Sequence, residues 1–364
     1  MINHNYSTTH LLTKPYDDSL QYGNDGKVTS NTKFAINNAI FNIKNSKIIG
    51  KQQDTFETML FLPPGEGRQG EGGLRTKGYF KHSYNMVDGE WWIVDSDNNP
   101  VIPAPEDIQS KIKQYLSSNA QYQTPITELP LITVITVVYN GAKYLEETIV
   151  SVINQTYPNV EYIIIDGGST DLTPDIIKKY EDYIDYWVSE KDKGIYDAMN
   201  KGWLITHPTA FTVYLGAGDK VVSLPLINTD NEIIYGNVYI GGVLFESTLK
   251  NGFKYGNSVH HQALFIAKKL SINPPFNIKY KVYADFDFNL RLFKSGYKFK
   301  FDPSCISYAL PGGSSSKVNL KEYFMIILNH YNFIYAMRAL FVNILGKLKA
   351  YLNFKNIFNY YRFK

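Results

Sequence analysis

The sequence predicts an α/β protein built on a mostly parallel sheet flanked by helices. Three observations lead there. The apolar runs TVITVVYNG, YIIIDGGSTD and FTVYLGAGD each stop at a polar loop containing glycine. A pattern of helical period separates the first two. Asn140, Asp166 and Asp219 fall where the runs end. Strand–helix–strand alternation is the grammar of a parallel sheet. Ligands of such sheets bind beyond the carboxyl ends of the strands.

Each element has its own signal. Residues 1–55 are polar, with one short helix expected around Phe34–Ile43. An apolar run then ends at Pro63-Pro64, followed by a Gly-rich loop with Arg68, Arg75, Lys77 and Lys81. No Gly-Lys-Ser/Thr opens a helix there, so it is not a P-loop. Its cations and backbone N–H groups suit either a phosphate cradle or a mobile connector. Residues 84–102 read as a hairpin turning at Asp88-Gly89. A helix is expected at Pro105–Leu116, then a linker. The organisation expected is an N-terminal extension (1–127, with the basic loop at 65–81), a main domain (128–317) and a tail (318–364).

In the main domain, Leu145, Ile149, Val152 and Ile153 form one apolar stripe on a helix over Ala142–Gln155. The next helix starts at Thr173 with Pro174 at its first position and Asp175 beside it. Ile176, Ile177, Tyr180 and Ile184 line its buried side. A short helix over Ile195–Lys201 is expected to stop at Gly202. Strands follow at Ile233–Ile240 and Ala263–Ile266, then a helix over Asp285–Lys294 and a strand at KFKFDP.

The tail differs in kind. No acidic residue follows Glu322, and Arg338, Lys347, Lys349, Lys355, Arg362 and Lys364 interrupt a run crowded with Phe, Tyr, Ile and Leu. No uncharged apolar run reaches the ~20 residues that span a bilayer. The composition fits a helix lying in the headgroup plane, or one packed on the main domain or on a second copy.

Bulk composition excludes some classes. A net charge of +3 is too mild to argue for nucleic acid. The single cysteine, Cys305, rules out an intrachain disulfide and a Cys-based zinc site. The N-terminus lacks a basic-then-apolar signal, so a reducing, cytosolic setting is expected. Aromatic residues reach 15%, which suits saccharide surfaces or membrane interfaces as well as biased codon usage.

Asn140-Gly141, the Asp166–Asp171 loop, Asp219 and Asp285 are the stations that carry chemistry. Carboxylates dispersed in sequence but gathered at one rim suit a hard divalent cation plus a general base. Asp171 alone reads better as a turn former or cap.

These stretches resemble the family 2 glycosyltransferases of the GT-A fold, whose sheet is nucleotide-sugar-binding and Rossmann-like. TVVYNGAKYLEETIVSVINQTYPNVEYIIIDGGSTDLT resembles their opening signature. YWVSEKDKGIYDAMNKG resembles a block of a subgroup that builds bacterial surface polysaccharides, and LGAGD the metal station. HHQALF and YADFDFNLRLFKSGYKFKFDP resemble the acceptor-side blocks. The resemblance covers about residues 130–310 and implies an inverting, metal-dependent transfer from a nucleotide-diphosphate sugar, expected to be a UDP-sugar. The acceptor implied is a glycan or lipid-linked saccharide, at the inner face of the cell membrane. Thr136, Val138 and Tyr139 would line the base and ribose, and Asp166 would hydrogen-bond them. Lys193, Asp197, Asn200 and Gly218 would lie near the sugar diphosphate. Asp219 would hold Mn²⁺ or Mg²⁺, with His261 as a second candidate ligand. His260, Gln262 and Arg291 fall on the acceptor or phosphate side. Asp285 would be the general base, with Asp287 its competitor, and helical geometry lets only one of the two face the cleft. Many family members carry two acids at the metal station, whereas Asp219 stands alone. Rival readings are a sugar nucleotidyltransferase and a saccharide-binding module without catalysis. A homo-oligomer is compatible with either.

Overall fold

The computed structural model describes residues 11–12, 60–95, 97–118, 126–228, 230–249, 251–270, 272, 274–312 and 319–341. The helix expected at Phe34–Ile43 and the tail from 342 onward lie outside the described residues.

Two sheets organise them. The small one is antiparallel, in the order β4-β3-β2-β5. It comprises β2 (Tyr84–Val87), β3 (Glu90–Val94), β4 (Pro100–Pro103) and β5 (Glu128–Leu129), with helix α1 (Glu106–Ser118) between β4 and β5. Asp88 and Gly89 have φ of 50° and 87°, the left-handed pair that a two-residue hairpin needs. The expected hairpin is therefore present.

The large sheet has the order β1-β8-β7-β6-β9-β13-β11-β14-β10, with β12 on β11. Its centre is β6 (Ile132–Val138), β7 (Val160–Asp166), β8 (Tyr186–Ser189) and β9 (Phe211–Gly216), all mutually parallel. Beyond β9 the sheet becomes mixed through β10 (Lys220–Ser223), β11 (Ile233–Ile240), β12 (Val243–Phe245), β13 (Leu264–Ala267) and β14 (Phe299–Ala309). This is the expected α/β sheet, parallel where the motifs lie. Strands β6 and β7 are buried along their whole length, as strands covered on both faces must be.

Helices cover both faces. On one side lie α2 (Ala142–Ile153) and α3 (Thr173–Lys179). Leu145, Ile149, Val152 and Ile153 are fully buried there with Val134 and Val138. Each contributes roughly 1.5–3 kcal/mol relative to exposure. On the other side α4 (Ile195–Leu204), α5 (Ala284–Lys294) and α6 (Leu320–His330) share one core with Ile135, Val137, Ile163 and Ile165. Helix α4 runs past Gly202 instead of stopping there. A Cβ at Gly202 would sit 2.6 Å from Ile135 Cγ2, so this glycine permits close helix–sheet approach and does not end the helix.

The Gly-rich basic segment does not hang free, and its cations are taken up by carboxylates. Residues Gly70–Gly72 form β1, an antiparallel edge strand on β8. Each expected cation meets a carboxylate: Arg68 meets Glu190 at 2.7 Å, Arg75 meets Glu161 at 2.6 Å, Lys77 meets Asp182 at 2.7 Å and Lys81 meets Asp185 at 2.8 Å. The Arg75–Glu161 and Lys81–Asp185 pairs are almost wholly buried. Removing one partner of such a pair strands the other, at a cost of about 3–5 kcal/mol.

Next to them His82 and His207 meet edge to face, 5.6 Å apart. Burial pushes the His82 imidazole down to about 4 and that of His207 well below its usual range. Above pH ~6.5 both are neutral in the folded and unfolded chains alike. As pH falls from there towards about 4, the unfolded chain binds protons that the folded chain refuses, and stability drops. His82 alone accounts for on the order of 3 kcal/mol over that window. His82→Phe should flatten this acid limb in urea unfolding between pH 7 and 4.5. An unchanged slope would show that the buried imidazole does not set it.

Candidate active site

The four parallel strands end level with one another. Val138 pairs with Asp166, Asp166 with Ser189, and Val137 with Gly216. Everything that follows these residues is gathered on one rim.

The first two stations are stitched together. Asn140 has φ 49°, its N–H donates to Ser169 Oγ at 2.7 Å, and its Oδ1 accepts from Thr170 N at 2.8 Å. Asp166 is fully buried. Its carboxylate accepts from Ser169 N at 3.1 Å, from Ser189 Oγ at 2.5 Å and from the Ser169 hydroxyl. It thus organises the loop that follows it. Asp171 accepts from Thr173 N at 3.0 Å and from Ala142 N at 3.1 Å, the turn-forming role its sequence suggests. Tyr139 is 65% exposed at the rim, whereas Thr136 is buried with its hydroxyl 3.0 Å from Tyr162 Oη. Val138 is buried between them.

The loop between β8 and α4 lies over the Asp166 loop. A Cβ at Gly167 would meet the Asp192 carboxylate, and Gly194 N donates to Asp192 Oδ1 at 2.7 Å. Burial pushes the Asp192 carboxyl up. Lys193 is exposed, its N–H donates to Asp197 at 3.0 Å, and its carbonyl accepts from Lys281 Nζ at 3.3 Å. Asn200 turns inward and clasps the Phe276 backbone at 2.8 and 2.9 Å.

At the third station Gly218 has φ 99°. It lets the β9–β10 turn present Asp219, which is 7% exposed. Asp219 Oδ2 accepts from Gly216 N at 2.8 Å and from Gln262 Nε2 at 3.0 Å, while Oδ1 accepts from Leu310 N at 2.9 Å.

The His260-His261-Gln262 block connects Asp219 to Asp285. His260 stands perpendicular to Phe245, 4.6 Å away. His261 Nδ1 lies 3.4 Å from Asp285 Oδ2, and Gln262 reaches Asp219. Asp285 also accepts from Asn257 Nδ2 at 3.1 Å and from Phe286 N at 2.8 Å, and Tyr196 Oη, which donates to Val282 O at 2.8 Å, lies 3.3 Å from Asp285 Oδ1. Burial pushes the Asp285 carboxyl up, but the bond and charge of His261 outweigh it and hold the group below the usual carboxylate range. Burial pushes His261 down, and Asp285 more than reverses that. Burial and the neighbouring His261 hold His260 below its usual range.

Asp287 faces elsewhere. It meets His330 Nε2 at 2.8 Å and Arg291 Nε at 3.1 Å, so Arg291 belongs to the α6 side of the helix. The stripe of Phe286 and Leu290 is buried as expected, while Phe293 at its end is 38% exposed. Sequence reasoning missed Asn257, Tyr196 and Lys281. Tyr196 sits inside a quoted motif (YWVSEKDKGIYDAMNKG), Asn257 and Lys281 just before two others (HHQALF and YADFDFNL), and their partners are distant in sequence.

Among the described residues no three His, Cys, Asp or Glu side chains form a group that could hold a metal. A cation here would depend on fewer protein ligands. Asp219 offers three occupied acceptor positions of about four, and Gln262 Oε1 beside it is buried without a hydrogen-bond partner. That orphaned oxygen fits a hard cation held mainly by phosphate.

Fold and rim together define an α/β enzyme-like domain with its polar groups beyond parallel strand ends. Residues 133–212 match the family model described as glycosyl transferase family 2. Over those residues the chain is similar to family 2 glycosyltransferases. A Mycobacterium bovis PGL/p-HBAD biosynthesis glycosyltransferase is 28% identical over 182 residues, covering 46% of this chain and 71% of its own. Escherichia coli chondroitin synthase is 25% identical over 230 residues, covering 57% and 33%. The mannosyltransferase PcManGT of Pyrobaculum calidifontis, solved with GDP-Man and Mn²⁺, superposes with a TM-score of 0.44 at 15% identity over 66% of this chain and 83% of its own.

Asp219 ties the β9–β10 turn to β14 and to the histidine block. Asp219→Ala should therefore lose about 2–4 kcal/mol in denaturant unfolding without any nucleotide or metal present. Wild-type stability in the variant would mean that these three bonds carry no net weight.

Proposed function

We propose that this protein is an inverting glycosyltransferase. It would move a sugar from a nucleotide diphosphate, UDP by preference, to a saccharide or lipid-linked saccharide in bacterial surface polysaccharide synthesis. One observation carries the reading: the His260–Gln262 block bridges the carboxylate of Asp219 to that of Asp285.

The chemistry follows from that spacing of roles. The acceptor hydroxyl oxygen forms a bond to the anomeric carbon as the bond to the diphosphate oxygen breaks on the opposite face. The hydroxyl proton passes to Asp285, which is held ionised for the purpose. Tyr196, Asn257 and His261 keep its carboxylate aimed. Exposed Tyr139 would stack on the base, and the Asp166–Ser169 loop with Asp192 would meet base and ribose. Lys193 and Lys281, adjacent at the rim, would face the diphosphate. Asp219 and Gln262 would hold a divalent cation, Mn²⁺ or Mg²⁺, whose chemistry is to neutralise the leaving diphosphate.

Attachment to an inner membrane face through residues 320–364 also belongs to this reading. Phe333, Ile334, Met337 and Phe341 are each 46–62% exposed on one helical run, and no acid follows Glu322. Among the described residues no helix is long and apolar enough to cross a membrane.

Calorimetry with UDP, GDP, dTDP and CMP, with and without Mn²⁺, should find one preferred nucleotide. Asp285→Asn should bind it as wild type does and lose transfer by about 10²–10⁴-fold. Undiminished transfer would remove Asp285 from the role of base. Binding of none of the four would overturn the reading.

A further inference from the structure

Asp285 is the second residue of α5, and the backbone just before it needs a partner. The N–H groups at and just before a helix start have no acceptor within the helix. Tyr283, at the cap position, supplies no side-chain hydrogen bond. Glu322 supplies the acceptors from another helix. Its Oε1 accepts from Val282 N at 2.8 Å and Tyr283 N at 2.6 Å, and its Oε2 from Lys281 N at 2.9 Å.

The clamp is itself held. Asn319 caps α6 by accepting from Glu322 N at 3.1 Å, and its amide donates to Glu322 Oε2 at 3.2 Å. Glu322 is 8% exposed. On the opposite side of the gripped segment, Tyr196 Oη donates to Val282 O at 2.8 Å and reaches Asp285 Oδ1 at 3.3 Å. Helix α6 grips α5 again through His330 and Asp287.

We propose that Glu322 is a positioning residue for the general base, fixing Lys281–Tyr283 so that Asp285 meets the acceptor hydroxyl. The proposal rests on Asp285 being that base. A carboxylate is required because three N–H donors converge on it. A glutamine would offer one acceptor oxygen and turn its NH₂ toward donors. A small displacement of a reacting group is enough to cost one to two orders of magnitude.

The test compares wild type, Glu322→Gln, Glu322→Asp, Asn319→Ala and Asp285→Asn. Nucleotide release from a panel of UDP-, GDP- and dTDP-hexoses and hydrogen exchange at Lys281–Tyr283 are both measured. Glu322→Gln should lower kcat about tenfold or more, weaken UDP binding by a smaller factor through Lys281, and speed exchange of those amides. Glu322→Asp should recover part of kcat, because the charge stays and only one methylene is lost. Asn319→Ala should move kcat the same way by less, which keeps the test open if Glu322→Gln does not fold. Wild-type kcat in Glu322→Gln beside an inactive Asp285→Asn would overturn the positioning role alone. An active Asp285→Asn, or no nucleotide release by wild type, would overturn the reading beneath it. Unchanged amide exchange would show that Glu322 does not hold the segment.

Discussion

Level strand ends constrain the rest of this molecule. Four parallel strands stop in register, at Val138, Asp166, Ser189 and Gly216. A parallel sheet offers no hairpin to absorb the polar groups left there. Short polar side chains take that role instead: Asp166 with Ser169 and Ser189, Asn140 with Thr170, Asp171 with Ala142 and Thr173. The same bonds that satisfy the backbone fix the loops before any ligand arrives. Preorganisation of this kind lets a site bind without first ordering its own groups.

The N-terminal segment works at both ends of that sheet. Arg75 and Lys81 pair with Glu161 and Asp185 under the starts of β7 and β8. Replacing a buried pair by packed apolar groups is often neutral or stabilising, whereas losing one partner of it is costly. Here they set how residues 60–81 lie across the sheet. From that anchorage Arg68 reaches Glu190, which Lys201 of α4 also grips at 2.7 Å. Glu190 opens the loop that carries Asp192 and Lys193. A segment that reads as a loose basic loop is thereby a brace for the rim.

Local pattern made the centre of the fold legible. The stripe of Leu145, Ile149, Val152 and Ile153 and the bounds of β11 needed only periodicity. Strands β1, β10 and β12 escaped because three or four residues carry too little period to read. Gly202 misled because a glycine required by a neighbour, Ile135, looks the same in sequence as one that ends a helix. At the site, the stations Asn140, Asp166, Asp219 and Asp285 were legible from their strand-end or helix-start positions. The division of labour among them was not. Whether Asp166 is free or already engaged by Ser169 and Ser189 depends on two loops meeting. Asn200 and Thr136 sit in motif blocks yet spend their polar atoms on Phe276 and Tyr162. Tyr196, Asn257 and Glu322 act on a segment 28 to 89 residues away, and no local pattern announces such a partner.

Helix α5 shows how two carboxylates two residues apart acquire different work. Successive residues turn by about 100°, so Asp285 and Asp287 look in nearly opposite directions. Asp287 meets His330 and Arg291, and Arg291 carries a permanent cation. The Arg291 pair lies within α5, and the His330 bond joins α5 to α6. Asp285 instead meets His261, Asn257 and Tyr196, and the bond and charge of His261 hold its carboxylate ionised. Asp285 is the one of the two turned toward the His260–Gln262 block and Asp219. The other secures the helix that holds Glu322 in place. Two carboxylates of one helix thus serve different neighbours, Asp285 the rim and Asp287 the contact with α6.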